Sequence, residues 1–209
     1  MKGVILAAGY ATRFLPASKT IPKEMFPLID RPAIDFIVQE MVDSGIKDIL
    51  LVSSRRKKVM EDYFDREVEL ASAFSESNEF EKLKVIKPIE ANIFTLRQQY
   101  MMGTGNALML VEPFVKDEPF IVAYPDDLVL GEKPLSKQLI ETWENSGKTV
   151  LSVQELEENQ LYRYGVIDHE GTGKIVKVKQ MIEKPKIGKA PSRYVSFGRY
   201  LYTSEIFEA

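Results

Sequence analysis

The stretch GVILAAGYATRFLPASKTIPKEMFPLIDRP, Gly3 to Pro32, carries the pattern that decides the fold of this 209-residue chain. Its opening, GVILAA, is an unbroken apolar run of the kind a strand buried on both faces presents. The run ends at Gly9, and a polar loop follows that is too long for a simple turn and is interrupted by Pro16, Pro22 and Pro27. Pro32 stands at a helix start, where a missing N–H does no harm. Beyond it Ile34, Ile37, Val38, Met41 and Val42 recur at helical spacing on one face, and Gly45 supplies the C′ glycine that ends the helix.

The same alternation repeats outward. DILLVSS (48–54) predicts a second buried strand. RRKKVMEDYFD (55–65) predicts a helix, continued by another through residues 66–83. KVIKPIE (84–90) and NIFTLRQ (92–98) read as strands, and GTGNALMLVEPF (103–114) as a glycine turn feeding a helix. PFIVAYPDDLVL (119–130) is a buried strand ending in two aspartates; SKQLIETWENSG (136–147) is a helix closed by Gly147; TVLSVQEL (149–156) is a strand. This β-α-β order predicts an α/β fold with a mostly parallel central sheet, right-handed crossovers and flanking helices. From residue 164 the pattern turns antiparallel: YGVIDHEGTGKIVKVKQMIEKP reads as strands joined around Gly171 and Gly173, and SFGRYLYTSEIFEA as a strand that begins a helix. No linker divides the chain, so a single domain spanning 1–209 is expected.

Composition narrows the function. Hydrophobic residues make up 44% and charged residues 28%, the ordinary globular balance, and the net charge of −3 speaks against a general nucleic-acid binder. There is no cysteine, which removes disulfides, thiolate metal sites and cysteine catalysis and suggests a reducing, cytoplasmic setting. The single histidine, His169, lies in the predicted hairpin beside Asp168 and Glu170 and is expected to be exposed rather than catalytic. No apolar stretch reaches the length of a membrane span, and no signal peptide is recognisable at the start.

In an open parallel sheet ligands bind outside the carboxyl ends of the strands. Three features fall at such ends. In the first loop Ala7, Ala8 and Gly9 allow close approach to backbone N–H groups, and Arg13, Lys19 and Lys23 add positive charge suited to phosphate. Asp126 and Asp127 follow a buried strand and offer hard oxygens of the type Mg²⁺ takes, although adjacent residues point to opposite faces. Gly103-Thr104-Gly105 opens a helix. A basic loop, an aspartate pair or a glycine turn is common on its own; their coincidence at one end of a sheet is the informative observation. Transfer between phosphates suits such a site, because the attacking oxygen is already an anion and needs positioning and charge neutralisation rather than a general base.

At this point the residues resemble a known family. AAGYATRFLPASKTIPKEMFPLIDRP (7–32) is similar to the opening motif AAGxGTRxLPxTKxxPKEMLPxxDKP of bacterial UTP–glucose-1-phosphate uridylyltransferases, which are sugar-1-phosphate nucleotidyltransferases. EDYFD (61–65), RQQYMMGTGNA (97–107), PDD (125–127), RYGVID (163–168), EKP (183–185) and APSRYVSFGRYLYTSEIF (190–207) continue the likeness in order. The resemblance implies a Rossmann-like nucleotidyltransferase fold with a small antiparallel sugar-binding subregion, residues 1–130 serving the nucleotide and 131–209 the sugar phosphate. It implies UTP and glucose 1-phosphate as substrates, Mg²⁺ as cofactor, and no nucleic-acid or membrane partner; homo-oligomer formation stays open.

Site residues carry over by position. The resemblance places the backbone of Ala7, Ala8 and Gly9 against the nucleotide, Arg13 and Lys23 on the triphosphate, and Glu24 near the nucleotide. It gives Gln98 the uracil edge, Gly103 the space for the base and Asp126 the metal, with Asp127 its variable neighbour. Gly165 and Glu183 would contact the sugar, and Lys184 the sugar phosphate. Ala11 stands where the family has glycine, Asn106 where it has histidine and Arg193 where it has asparagine. The family pattern also continues past SEIF with a second metal-associated aspartate, so the resemblance implies a chain truncated at its C-terminus. The alternatives are a glucose-1-phosphate thymidylyltransferase and a non-catalytic nucleotide-sugar-binding module.

Overall fold

A computed structural model describes residues 1–208. The chain opens with β1 (Lys2–Leu6), then a loop of three short 3₁₀ turns (Thr12–Phe14, Ala17–Lys19, Lys23–Met25) and a small hairpin of β2 (Pro27–Leu28) and β3 (Arg31–Pro32). There follow α1 (Ala33–Asp43), β4 (Asp48–Ser53), α2 (Lys58–Phe64), α3 (Val68–Glu76), α4 (Phe80–Val85), β5 (Asn92–Arg97), α5 (Gly103–Met109) and α6 (Glu112–Val115). The rest is β6 (Phe120–Ala123), α7 (Leu135–Ser146), β7 (Val150–Glu155), β8 (Gly165–Glu170), β9 (Lys177–Glu183) and β10 (Tyr194–Tyr202), closed by a 3₁₀ turn at Ser204–Phe207.

One eight-stranded sheet holds the molecule together, with the path β5-β4-β1-β6-β10-β8-β9 and β7 against β10. Its first four strands are parallel. β1 sits between β4 and β6 and is buried on both faces, as its apolar run demands. Ile5 and Ala7 join Ile34, Ile37 and Leu139 from α1 and α7 on one side. Val4 and Leu6 join Ala107, Val111 and Val115 from the α5–α6 region on the other. Gly45 takes φ 86 after α1 and Gly147 φ 66 after α7, the left-handed conformation that ends both helices.

The structure departs from the sequence-based expectations in several places. KVIKPIE is not a strand: α4 runs through Val85, and the chain is irregular from there to β5. Pro88 cannot donate to a ladder, and Lys82 and Lys84 instead support a helical turn, Lys84 pairing with Glu81 at 2.7 Å and Lys82 lying over the Phe74 ring. The helix expected over 66–83 is two, broken where Asn78 takes φ 57. β7 does not extend the parallel run, because β10 inserts antiparallel between it and β6. Finally, His169 is half-buried, its ring 5.1 Å from that of Tyr194 and its Nδ1 enclosed without a hydrogen-bond partner.

β10 positions the site. Arg199 is paired with Ala123, the last residue of β6, and four residues back along the same strand Val195 is paired with Val166 of β8. The β8–β9 hairpin therefore stands beyond the carboxyl end of β6, on the side where the loops after β1, β4 and β5 emerge.

Candidate active site

Three groups of sequence-predicted residues meet at this end of the sheet. The first is the loop after β1. Ala7 is locked into the sheet by donating its N–H to the Val52 carbonyl at 2.8 Å, while Ala8 is buried and Gly9 and Tyr10 are open. Ala11, at a position where the family pattern has glycine, takes φ 54, ψ 41, the left-handed conformation. Its carbonyl accepts from Ser18 Oγ at 2.8 Å, which folds the loop back on itself. Arg13 is exposed and, among the described residues, makes no ion pair. On the last 3₁₀ turn, neighbouring side chains diverge. Lys23 turns outward and places Nζ 2.6 Å from Asp126 Oδ2; Glu24 turns inward and is almost fully buried.

The second group surrounds the loop after β6. Asp126 is half exposed, while Asp127 turns back to accept the Gly198 N–H at 3.0 Å. β6 ends at Ala123, short of the two aspartates expected at its end, and their carboxylates diverge from a turn in which the Asp127 N–H donates to the Tyr124 carbonyl at 3.2 Å. Burial pushes the Asp127 carboxyl above its ordinary value, and the Asp126 charge adds to the rise against the Gly198 N–H and Arg199. A side chain at Gly198 would strike Asp127 Oδ2 and come within 2.7 Å of its Cβ, so only glycine fits there. Behind the loop Arg199, fully buried, makes two bonds to Glu40 at 3.0 and 2.7 Å and donates to the Gly198 carbonyl at 2.9 Å.

The third group comprises the loop after β5 and the β8–β9 hairpin. Gln98 is buried and donates through Nε2 to the Gly103 carbonyl and to Asn106 Oδ1, each at 3.1 Å. Gly103 takes φ 90 with open space around its α-carbon. Gly165 is paired with Glu183 across the hairpin, and a side chain at Gly165 would crowd Met181 and Glu183. Glu183 and Lys184 are exposed and bridge to each other at 2.7 Å. Lys184 takes φ 46, and its N–H donates to the Tyr164 carbonyl at 3.0 Å. Arg193 points elsewhere, held by the Leu156 carbonyl at 3.0 Å and by Glu157 at 2.9 Å.

Between the first loop and the ends of β4 and β5 lies a cleft of about 310 Å³ lined by Tyr10, Arg55, Arg56, Arg97 and Gln98 among others, a positive wall beside the open loop. No cluster of three or more acidic or histidine ligands occurs among the described residues. A divalent cation here would take one hard oxygen from Asp126 and complete its shell with water and substrate phosphate. Lys23 already places a positive charge on that oxygen, so the donor fits a cation.

Sequence reasoning missed Lys57, Glu40, Arg199 and Gly198. Lys57 lies in the run Arg55–Lys58, which reads as a solvated helix start; nothing in the run marks the one lysine that turns inward. Glu40 and Arg199 are 159 residues apart, and only the assembled sheet brings them into contact.

A family model described as nucleotidyl transferase matches residues 2–209. The chain belongs to the nucleotidyl transferase family. This nucleotidyl transferase is 44% identical over 210 residues to UTP–glucose-1-phosphate uridylyltransferase 2 of Staphylococcus saprophyticus subsp. saprophyticus, covering 99% of the chain and 73% of that relative. It is 43% identical to the UTP–glucose-1-phosphate uridylyltransferase of Staphylococcus haemolyticus over the same shares. Its fold superposes on a UDP-glucose pyrophosphorylase from Acinetobacter baumannii with a TM-score of 0.92 at 33% identity, over 99% of this chain and 75% of that one. A UDP-glucose pyrophosphorylase complexed with UDP-glucose gives a TM-score of 0.84 at 34% identity, over 99% and 77%. Nucleotidyl transferases generally use a divalent metal ion. No helix among the described residues is long and apolar enough to cross a membrane.

Proposed function

We propose that this nucleotidyl transferase moves a uridylyl group from UTP to glucose 1-phosphate, forming UDP-glucose and pyrophosphate. The observation that carries the reading is the 44% identity to a UTP–glucose-1-phosphate uridylyltransferase across 99% of the chain.

The chemistry is a single displacement. A phosphate oxygen of glucose 1-phosphate attacks the α-phosphorus of UTP; the bond from that phosphorus to the β-phosphate bridging oxygen breaks, and its electron pair leaves with pyrophosphate. Residues 1–130 serve the nucleotide and 131–209 the sugar phosphate. The backbone of Ala7, Ala8 and Gly9 faces the nucleotide, with the Ala7 N–H itself held by the Val52 carbonyl, and Arg13 and Lys23 neutralise the triphosphate and the departing pyrophosphate. Gln98 has its amide nitrogen occupied, which leaves its oxygen to accept from the N3–H of uracil, and Gly103 leaves room for the ring. Glu24 acts from behind, since its carboxylate is taken up inside the protein. Gly165 and Glu183 contact the sugar. Lys184 pairs with the sugar phosphate and lowers the repulsion between two anionic reactants. Mg²⁺ held by Asp126 would add a Lewis acid on the phosphate oxygens. The absence of cysteine agrees with work in the cytoplasm.

The test is pyrophosphate release by the purified chain with Mg²⁺ and glucose 1-phosphate, with UTP, dTTP, ATP, CTP and GTP offered separately. Release with UTP well above the others is expected, and Asp126→Asn should lose Mg²⁺-dependent turnover while keeping the wild-type circular dichroism. Equal or greater release with dTTP would move the assignment to a thymidylyltransferase, and binding without release would move it to a binding module.

A further inference from the structure

Lys57 is the one cation of its run that is buried, 5% exposed, and it lies where the end of β4 meets the first loop. Its ammonium holds both oxygens of Glu24, at 2.8 and 2.9 Å, and donates to the carbonyl of Ala7. A lysine ammonium has three N–H donors, and all three are directed at protein acceptors. Removing two opposite charges from water is costly even when they are paired, so an ion pair in this position is an expense that packing alone would not require.

The geometry around the pair gives it a purpose. Ala7 opens the backbone segment that faces the proposed nucleotide, and Glu24 belongs to the 3₁₀ turn Lys23–Met25. On that turn Lys23 and Glu24 point in opposite directions: Lys23 to Asp126, Glu24 to Lys57. A single ammonium thus ties together the start of the loop and the turn that presents Lys23. If Lys57 lets go, the turn loses its inner anchor and the outward lysine loses its position.

We propose that Lys57 is a positioning residue for the triphosphate, acting through Glu24 and the Ala7 carbonyl to set where Lys23 and the Ala7–Gly9 backbone meet it. Burial pushes the Lys57 ammonium below its ordinary value, with Glu24 acting against that shift. The inference rests on the uridylyltransferase reading for the identity of the nucleotide.

The test compares wild type, Lys57→Met, Lys57→Arg and Glu24→Gln in steady-state kinetics, with UTP affinity also measured by calorimetry. Lys57→Met keeps an unbranched apolar stem and removes the charge; it should raise the KM for UTP and weaken calorimetric UTP binding at least tenfold, and leave the KM for glucose 1-phosphate within about threefold. Lys57→Arg should recover part of the loss. Glu24→Gln keeps shape and packing and should reproduce the UTP defect, which preserves the test if Lys57→Met does not fold. Folded variants with a lowered Tm but wild-type UTP affinity would make Lys57 structural only and overturn the proposal, as would an equal rise in both KM values. A wild-type chain that binds no UTP would instead sink the assignment of the nucleotide, a separate outcome read before any variant is compared.

Discussion

Ala11 concentrates the residue-scale lesson. A non-glycine residue in the left-handed region costs roughly 1–2 kcal/mol from contact of its Cβ with the following carbonyl. The loop accepts this at φ 54 because Ser18 and the Phe14 N–H both bind the Ala11 carbonyl and fix the turn. Ala11→Gly relieves the strain but gives the unfolded chain more freedom, an opposing effect of about 0.4–1 kcal/mol. A net gain of about 0.5–1 kcal/mol in urea unfolding is the expected result; destabilisation would show that the loop carries no strain there. This position was legible in the sequence as an alanine where the family pattern has glycine, although its left-handed conformation is read only from the structure. Lys57 was not. Arg55, Arg56, Lys57 and Lys58 are chemically alike as a string, and burial of one follows from where β4 ends and where Glu24 is waiting, a matter of three dimensions.

Elements divide along a similar line. β1, α1, β4, β6 and α7 were readable because each carries a strong apolar period and a glycine or proline at a boundary. KVIKPIE misled because two apolar residues and an isoleucine after proline mimic a strand, whereas Pro88 and the charged pairs of α4 favour a turn of helix. β10 was recognised as a strand, but its role was hidden: no periodicity reveals that it threads antiparallel between β6 and β7. Its Gly198 is the point where strand and Asp127 touch, and Gly198→Ala should destabilise by about 1–3 kcal/mol through overpacking. In an Asp127→Gly background the same change should cost much less, and a double-mutant cycle of unfolding free energies measures the difference. Equal cost in both backgrounds would mean that the crowding lies elsewhere.

At the scale of the whole molecule, Glu40 on α1, Ser136 on α7 and Arg199 on β10 form one buried polar junction. Burial pushes the Glu40 carboxyl up, but Arg199 and Ser136 outweigh it and hold the group below its ordinary value of 4.5. A carboxylate with a depressed folded-state value stabilises fully above that ordinary value, and the contribution is lost as pH falls through the lower one. Glu40→Gln strands the Arg199 charge and should cost about 3–5 kcal/mol at pH 7. The gap between wild type and variant should narrow only as the pH is taken below 4.5, which chemical unfolding over a pH series tests. The junction also has a consequence in time. Glu40 leaves the ribosome 159 residues ahead of its partner, an interval of roughly 8–32 s at synthesis rates of about 5–20 residues per second. Once β6 has been made, the nascent parallel half has an unpaired β6 edge and an interior carboxylate still without its arginine, so the chain must either postpone its collapse or be sheltered until β10 emerges.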